Sequence, residues 1–233
     1  MLSQLLVCDE RNIVLSEVPL LDEVLRMKQQ DHSSEHLFRA VLKLLSRKRT
    51  GKEQRVFVKT DSWHVLFYDQ LHAWYADAPS FLMYRHPKEV GKSQANHPAM
   101  HSVPGVLDAA LFGLREEETA EMTRATYLDH VLCCYFKKYS EILQSGSPAI
   151  TLNYHDGPMN MMEKIFTTCK FLPAEEVRNN MQQRSGFHSK NPQQNFAGDA
   201  HAVNAAGDFS QSTQLFSELE QLVAIQKHNV YES

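Results

Sequence analysis

The run Phe81-Leu82-Met83-Tyr84-Arg85-His86-Pro87-Lys88-Glu89-Val90-Gly91-Lys92-Ser93 decides how the chain is read. Phe81 to Tyr84 is short and apolar with aromatic ends, bounded by Pro79 and Pro87, which suits a strand buried on both faces. Pro87 has a fixed φ and no amide hydrogen, so it turns the chain and can open a helix at its first position. Glu89 then falls in the first helical turn, where the helix dipole favours an acid. Ser93 lies about two turns up that helix. A cation and a hydroxyl are thereby set at the carboxyl end of a strand, where open α/β sheets bind ligands. An arginine fork suits phosphate or carboxylate, and serine adds a directional donor. The plainer reading of the same residues is a surface salt bridge and a solvated helix face.

Working outward, apolar residues at helical spacing alternate with short β-branched runs. Leu2, Leu5 and Leu6 predict a short helix, and Ile13-Val14-Leu15 a strand. Leu20 to Leu25 and Ser34 to Leu45 are two amphipathic helices. Arg47 to Arg55 is a basic solvated loop before the strand Arg55 to Asp61, with helical sequence on to Trp74. Beyond Ser93, Asn96 to Val106 reads as a loop over the site. Leu107 to Leu114 and Glu116 to Leu143 read as helices, the second with an aromatic stripe suited to a core. Ala149 to Tyr154 is a further strand, and Met161 to Phe171 a further helix. From Gln182 to Thr213 the chain turns polar and is predicted to be an extended loop, with a closing helix at about 214–227. This order predicts an α/β fold in one domain over 1–233, a parallel sheet flanked by helices.

Composition bounds the function classes. The chain has 233 residues, 42% hydrophobic and 22% charged, enough to bury a core. A net charge of −4 gives no footprint for nucleic acid. No run approaches the apolar length of a membrane span, and the opening residues lack a signal-peptide pattern. The four cysteines have no metal-ligand spacing and fit a reducing, cytoplasmic setting; the scattered histidines suggest no metal site.

The pattern Arg-x-Pro-Lys-Glu-Val-x-x-Ser after an apolar strand resembles the 3′-phosphate segment of sulfotransferases, which use 3′-phosphoadenosine 5′-phosphosulfate (PAPS) as cosubstrate. The resemblance implies that Arg85 and Ser93 bind the 3′-phosphate. Val56-Phe57-Val58-Lys59-Thr60, Ile150 to Tyr154 with Asp156, and the opening from Met1 to Leu25 fall in line in the family's order, over roughly residues 1–190. The implied fold is the three-layer, P-loop NTPase-like one, N-terminally truncated: the 5′-phosphosulfate loop and its strand would precede Met1. The implied activity is sulfuryl transfer to a hydroxyl or amine acceptor that the sequence does not identify. Glu17 matches the base of the carbohydrate and tyrosylprotein branches, and Asp61 stands where cytosolic members place histidine; Glu17 is preferred. Each has a plainer reading as a helix cap. Lys59 would neutralise charge on the bridging oxygen, or is a snorkelling surface lysine. Arg184, in Gln183-Arg184-Ser185-Gly186, is a loose counterpart of a further phosphate contact. His64, His97 and His101 are candidates to line the acceptor pocket. The rival expectations are an inactive homologue with a binding or structural role and, behind it, a small-molecule kinase, for which neither a Lys-Ser/Thr loop nor a magnesium carboxylate is apparent.

Overall fold

The computed structural model describes residues 1–27, 32–186 and 207–231. In chain order the elements are α1 (Leu2–Leu6), β1 (Asn12–Ser16), α2 (Pro19–Leu25), α3 (His32–Leu45), β2 (Arg55–Lys59), α4 (Tyr68–Trp74), β3 (Phe81–Tyr84) and α5 (Pro87–Asn96). Then come α6 (Glu116–Glu121), α7 (Arg124–Gln144), β4 (Ile150–Asn153), α8 (Pro158–Thr168), α9 (Glu175–Ser185) and α10 (Ser210–Tyr231). The architecture is mixed α/β and mostly helical, with small parallel sheets. No helix among the described residues is long and apolar enough to cross a membrane.

The described residues divide into two compact units. The first is built from Met1–Ala78 and the described residues from Asp156 to 186. Its ladder is β1 beside β2, parallel, in register from Asn12↔Arg55 to Ser16↔Lys59. Ile13 and Leu15 point into the core. Val18 leads into α2, whose first residue Pro19 needs no amide partner. Leu21, Val24 and Leu25 then pack on Phe38 of α3. At the amino end of β1, buried Asp9 takes the guanidinium groups of Arg11 and Arg55 at 2.7 and 3.1 Å. Those partners hold its carboxyl below the usual range, the Arg11 hydrogen bonds most of all. The loop before β2 is exposed as expected, except that Glu53 turns inward and accepts the Arg49 and Thr50 amides at 3.0 Å.

The second unit joins Pro79–His155 to the described residues from 207 on. Its ladder is β3 beside β4, parallel, from Phe81↔Ile150 to Tyr84↔Asn153. α7 supplies the core through Tyr127, Val131, Tyr135, Phe136 and Tyr139, so the aromatic stripe packs as expected. Ser212, in the first turn of α10, is fully buried and donates its amide to Asp129 of α7 at 3.2 Å; its hydroxyl donates to the same oxygen. A carboxylate so placed satisfies orphan amides at a helix start. Phe209 lies on Gly91 of α5, where an added Cβ would meet its ring at 2.6 Å.

Four expectations are corrected. β3 is not buried on both faces: Leu82 and Tyr84 are buried, but Met83 is 46% exposed, because nothing described covers that face. The helix expected over Glu116 to Leu143 is two, since Thr123 leaves helical geometry and caps α7 by accepting the Thr126 amide. Leu107 to Leu114 holds a short 3₁₀ turn over Ala109–Phe112, ended by Gly113 at φ 68°. The polar loop expected over 182–213 is helical at both margins, in α9 and α10; its middle, 187–206, lies outside the described residues.

Candidate functional site

The first unit gathers the groups that the sequence singled out for catalysis. β1 ends at Ser16 and β2 at Lys59, side by side. The ladder gains one more hydrogen bond, from the Glu17 amide to the Lys59 carbonyl at 2.8 Å. Glu17 itself has φ 49°, the left-handed region. For a residue with a side chain this costs on the order of 1–2 kcal/mol. The turn throws its carboxylate against the Lys59 ammonium, and the two form an ion pair. Both side chains remain about half exposed, so the pair is open to solvent and contributes little to stability.

Asp61 follows two residues after Lys59 and is the N-cap of the 3₁₀ turn Ser62–Phe67. Burial, then the charge of Glu17, raise its carboxyl above the usual range, and Lys59 opposes them. The Asp61 amide donates to Nδ1 of His64 at 3.2 Å. His64 is only 3% exposed. Its Nε2 lies 3.1 Å from Oδ1 of Asp22 on α2, but out of line, so among the described residues neither atom has an aligned hydrogen-bond partner. Burial pushes the Asp22 carboxyl up to about 6, with the Asp61 carboxylate adding to it. Burial, then Arg26, bring the His64 imidazole down to about 4. Both shifts run toward the uncharged form.

Asp22, Asp61 and His64 bring donor atoms within 4.8 Å of one another, close enough to share a cation. The Asp61 amide argues against it. A ring that accepts an N–H at Nδ1 carries its own proton on Nε2 when neutral, and that nitrogen has no lone pair for a metal. The cluster is better described as an imidazole fixed by the Asp61 amide and set beside the Asp22 carboxyl than as a cation cage.

Arg184 is on the last turn of α9, not in a loop, and its Nη2 donates to Oε1 of Gln4 at 2.5 Å. It still comes to the same end of the unit. The Met1 amino group is lowered by burial and then by the charges of Lys59 and Arg184, with Glu17 opposing.

The second unit holds the strand–turn–helix. Pro87 opens α5 at its first position and Glu89 falls in the first turn, as the sequence implies. Arg85 donates Nε to Glu89 at 2.7 Å and lays its guanidinium over the Tyr154 ring at 4.3 Å. Glu89 also faces His155 at 3.3 Å. Ser93 is half-buried on the same helix. Just before Arg85, Tyr84 donates its hydroxyl to Glu220 of α10, which also takes the Asn153 amide at 3.1 Å. His101 is buried against Tyr135, and burial brings its imidazole down to about 4; His97 is exposed.

The structure thus brings Glu17, Lys59 and Asp61 together in one unit with Arg184 near them, and sets Arg85 on the β3–α5 connection and Ser93 on α5 in the other. Asp22 lies on the amphipathic helix expected over Leu20 to Leu25, and the sequence does not single it out. The Asp-x-x-His spacing from Asp61 to His64, which matches a capping box, was the signal that could have joined it to the site. No protein-family profile matches the chain, and no curated protein is significantly similar to it.

Proposed function

We propose that the chain is a sulfotransferase-like protein that moves a sulfuryl group from PAPS to a hydroxyl or amine acceptor. The observation that carries the reading is the Glu17–Lys59 pair at the carboxyl ends of a parallel ladder, with Glu17 held in left-handed backbone geometry. Strain of this kind persists where the surroundings fix it, and it gathers at functional sites. Glu17 would accept the acceptor proton as general base. Lys59, already beside it, would meet negative charge growing on the bridging oxygen. Asp61 stands next in line and is held nearer neutrality by its burial. Arg85 and Ser93 are the residues to which the sequence resemblance assigns the 3′-phosphate.

PAPS is a substrate here, and the residues fit it in part. Lys59 and Arg184 supply positive charge at one end of the first unit. Arg85 has its Nε on Glu89 and its face on Tyr154, so a phosphate must share the guanidinium with that acid. The same engagement favours a second reading, a homologue with a binding or structural role in which Arg85 serves the fold.

Calorimetric titration with 3′-phosphoadenosine 5′-phosphate, of the chain and of Arg85→Ala, separates the two. The transferase reading expects binding that Arg85→Ala weakens by about 1.5–3 kcal/mol, as for a charge-assisted hydrogen bond. A folded chain that binds no nucleotide, and transfers no label from sulfur-labelled PAPS to hydroxyl or amine acceptors, leaves the structural reading standing.

A further inference from the structure

We propose that Asp22 and His64 are positioning residues for the Glu17–Lys59 pair: Asp22 holds the imidazole, and the imidazole holds the turn that leaves β2. The inference rests on the sulfuryl-transfer reading of that pair and adds two residues to it. β2 ends at Lys59, and the chain must bend at once into the 3₁₀ turn Ser62–Phe67. What fixes the bend is the Asp61 amide, donated to His64 Nδ1 at 3.2 Å. With Nδ1 occupied as an acceptor, the neutral ring carries its proton on Nε2. That proton is on the side of Asp22 Oδ1, 3.1 Å away, and among the described residues no other partner reaches either atom. Because the ring is 97% buried and packed against Trp63 with centroids 4.0 Å apart, it has no alternative partner in solvent. The geometry is out of line by enough to leave both atoms without an aligned bond. The contact sits beside the Asp61 amide that His64 Nδ1 accepts, two residues along the chain from Lys59.

The groups facing this pair are few. Asp22 has Asp61, Arg26, Glu23 and Glu17 around it, and His64 has Arg26 and Glu17. The relay is therefore coupled to the site it positions and to Arg26, the residue that ends α2.

The two isosteres of histidine test this on the full chain. Asn at position 64 keeps an acceptor near the place of Nδ1, whereas Gln reaches toward the place of Nε2. In His64→Gln, hydrogen exchange at the Asp61 amide should quicken about tenfold or more, and in His64→Asn it should stay close to the parent rate. In Asp22→Asn, kcat for sulfuryl transfer should fall about tenfold with KM for PAPS unchanged. Nitrogen-15 spectra should show His64 as the Nε2–H tautomer at neutral pH. An Nδ1–H tautomer, or Zn²⁺ or Mn²⁺ alone binding one to one and moving the His64 signals, would overturn the relay in favour of a cation site. Equal loss of amide protection in both position-64 variants would overturn it in favour of simple packing. A parent chain with the expected tautomer and protection pattern but no transfer upholds the relay and sinks only the sulfuryl-transfer reading.

Discussion

The two parallel ladders end in opposite ways. At the carboxyl end of β3 and β4 the polar groups are met: Arg85 by Glu89 and Tyr154, Glu89 by His155, Tyr84 and Asn153 by Glu220. At the carboxyl end of β1 and β2 they are left in tension. Glu17 is strained, Asp61 is a desolvated acid, and Asp22 and His64 face each other out of line. Well-met groups stabilise a fold, whereas unmet and strained ones cost stability and persist only where surrounding packing holds them. The difference marks the first unit as the place to look for chemistry and the second as a place that could hold a ligand or simply hold itself.

The sharpest way to break this comparison is Glu17→Gln. If Glu17 is the base, transfer from labelled PAPS falls on the order of 10²- to 10⁴-fold while the thermal melt hardly moves. A loss of less than about threefold would return the role of base to Asp61.

The next largest effect concerns acid. His64, with its folded pKa near 4 below the ordinary value, lends stability that is present above about pH 6.5 and is lost as pH falls toward 4. Asp22, with its folded pKa near 6 above the ordinary value, lends stability that is present below about pH 4 and is lost as pH rises through 6. The two slopes oppose each other over one window, so the parent chain should be nearly flat there. Asp22→Asn uncovers the histidine slope, and stability should drop by about 2–3 kcal/mol from pH 6.5 to 4. His64→Asn should show the reverse slope. Urea midpoints read at pH 4.5 and 7 decide it; equal slopes in both variants would mean the pair is not coupled to folding.

In the second unit, Gly91→Ala should cost about 1–3 kcal/mol by driving a methyl into the Phe209 ring. A neutral result in a denaturant melt would show that the packing there is looser than its polar network. Smallest of all, Glu17→Gly should stabilise the chain by about 0.5–1 kcal/mol, since glycine takes left-handed geometry at no steric cost. Activity should vanish with it. A variant that is both less stable and inactive would remove strain as the mark that separates the two ladder ends.

Much of the fold was legible in the residues. β1 and β2 could be read from β-branched runs, α2 from apolar residues at helical spacing, α5 from a proline at the first helical position, and α7 from its aromatic stripe. What failed did so for physical reasons. The end of α9 from Gln182 falls in the expected loop and its start has no expectation, because only Met181 on it is buried and no apolar stripe marks the helix. Met83 was read as core because an apolar residue in an apolar run does not say which face is covered. The α6–α7 break carries no glycine or proline, only a threonine cap. Of the site, Glu17, Lys59 and Asp61 were singled out from their strand-end places, and the structure joins them. Their strain and coupling to Asp22 were not legible, because backbone φ and out-of-line contacts arise only when α2 packs against the turn after β2.

One feature of the second unit bears on how the chain is made. α10 provides Glu220, which clamps Tyr84 and Asn153, and Ser212, which Asp129 anchors. These partners are separated in sequence by the whole of α8 and α9. During synthesis β3 and β4 leave the ribosome well before the helix that ties them, so for that interval Asp129 is a carboxylate without its serine and the ladder is without its clamp. A nascent chain paused after α9 would expose that surface, and it is at that pause, rather than in the finished protein, that a chaperone would find something to hold.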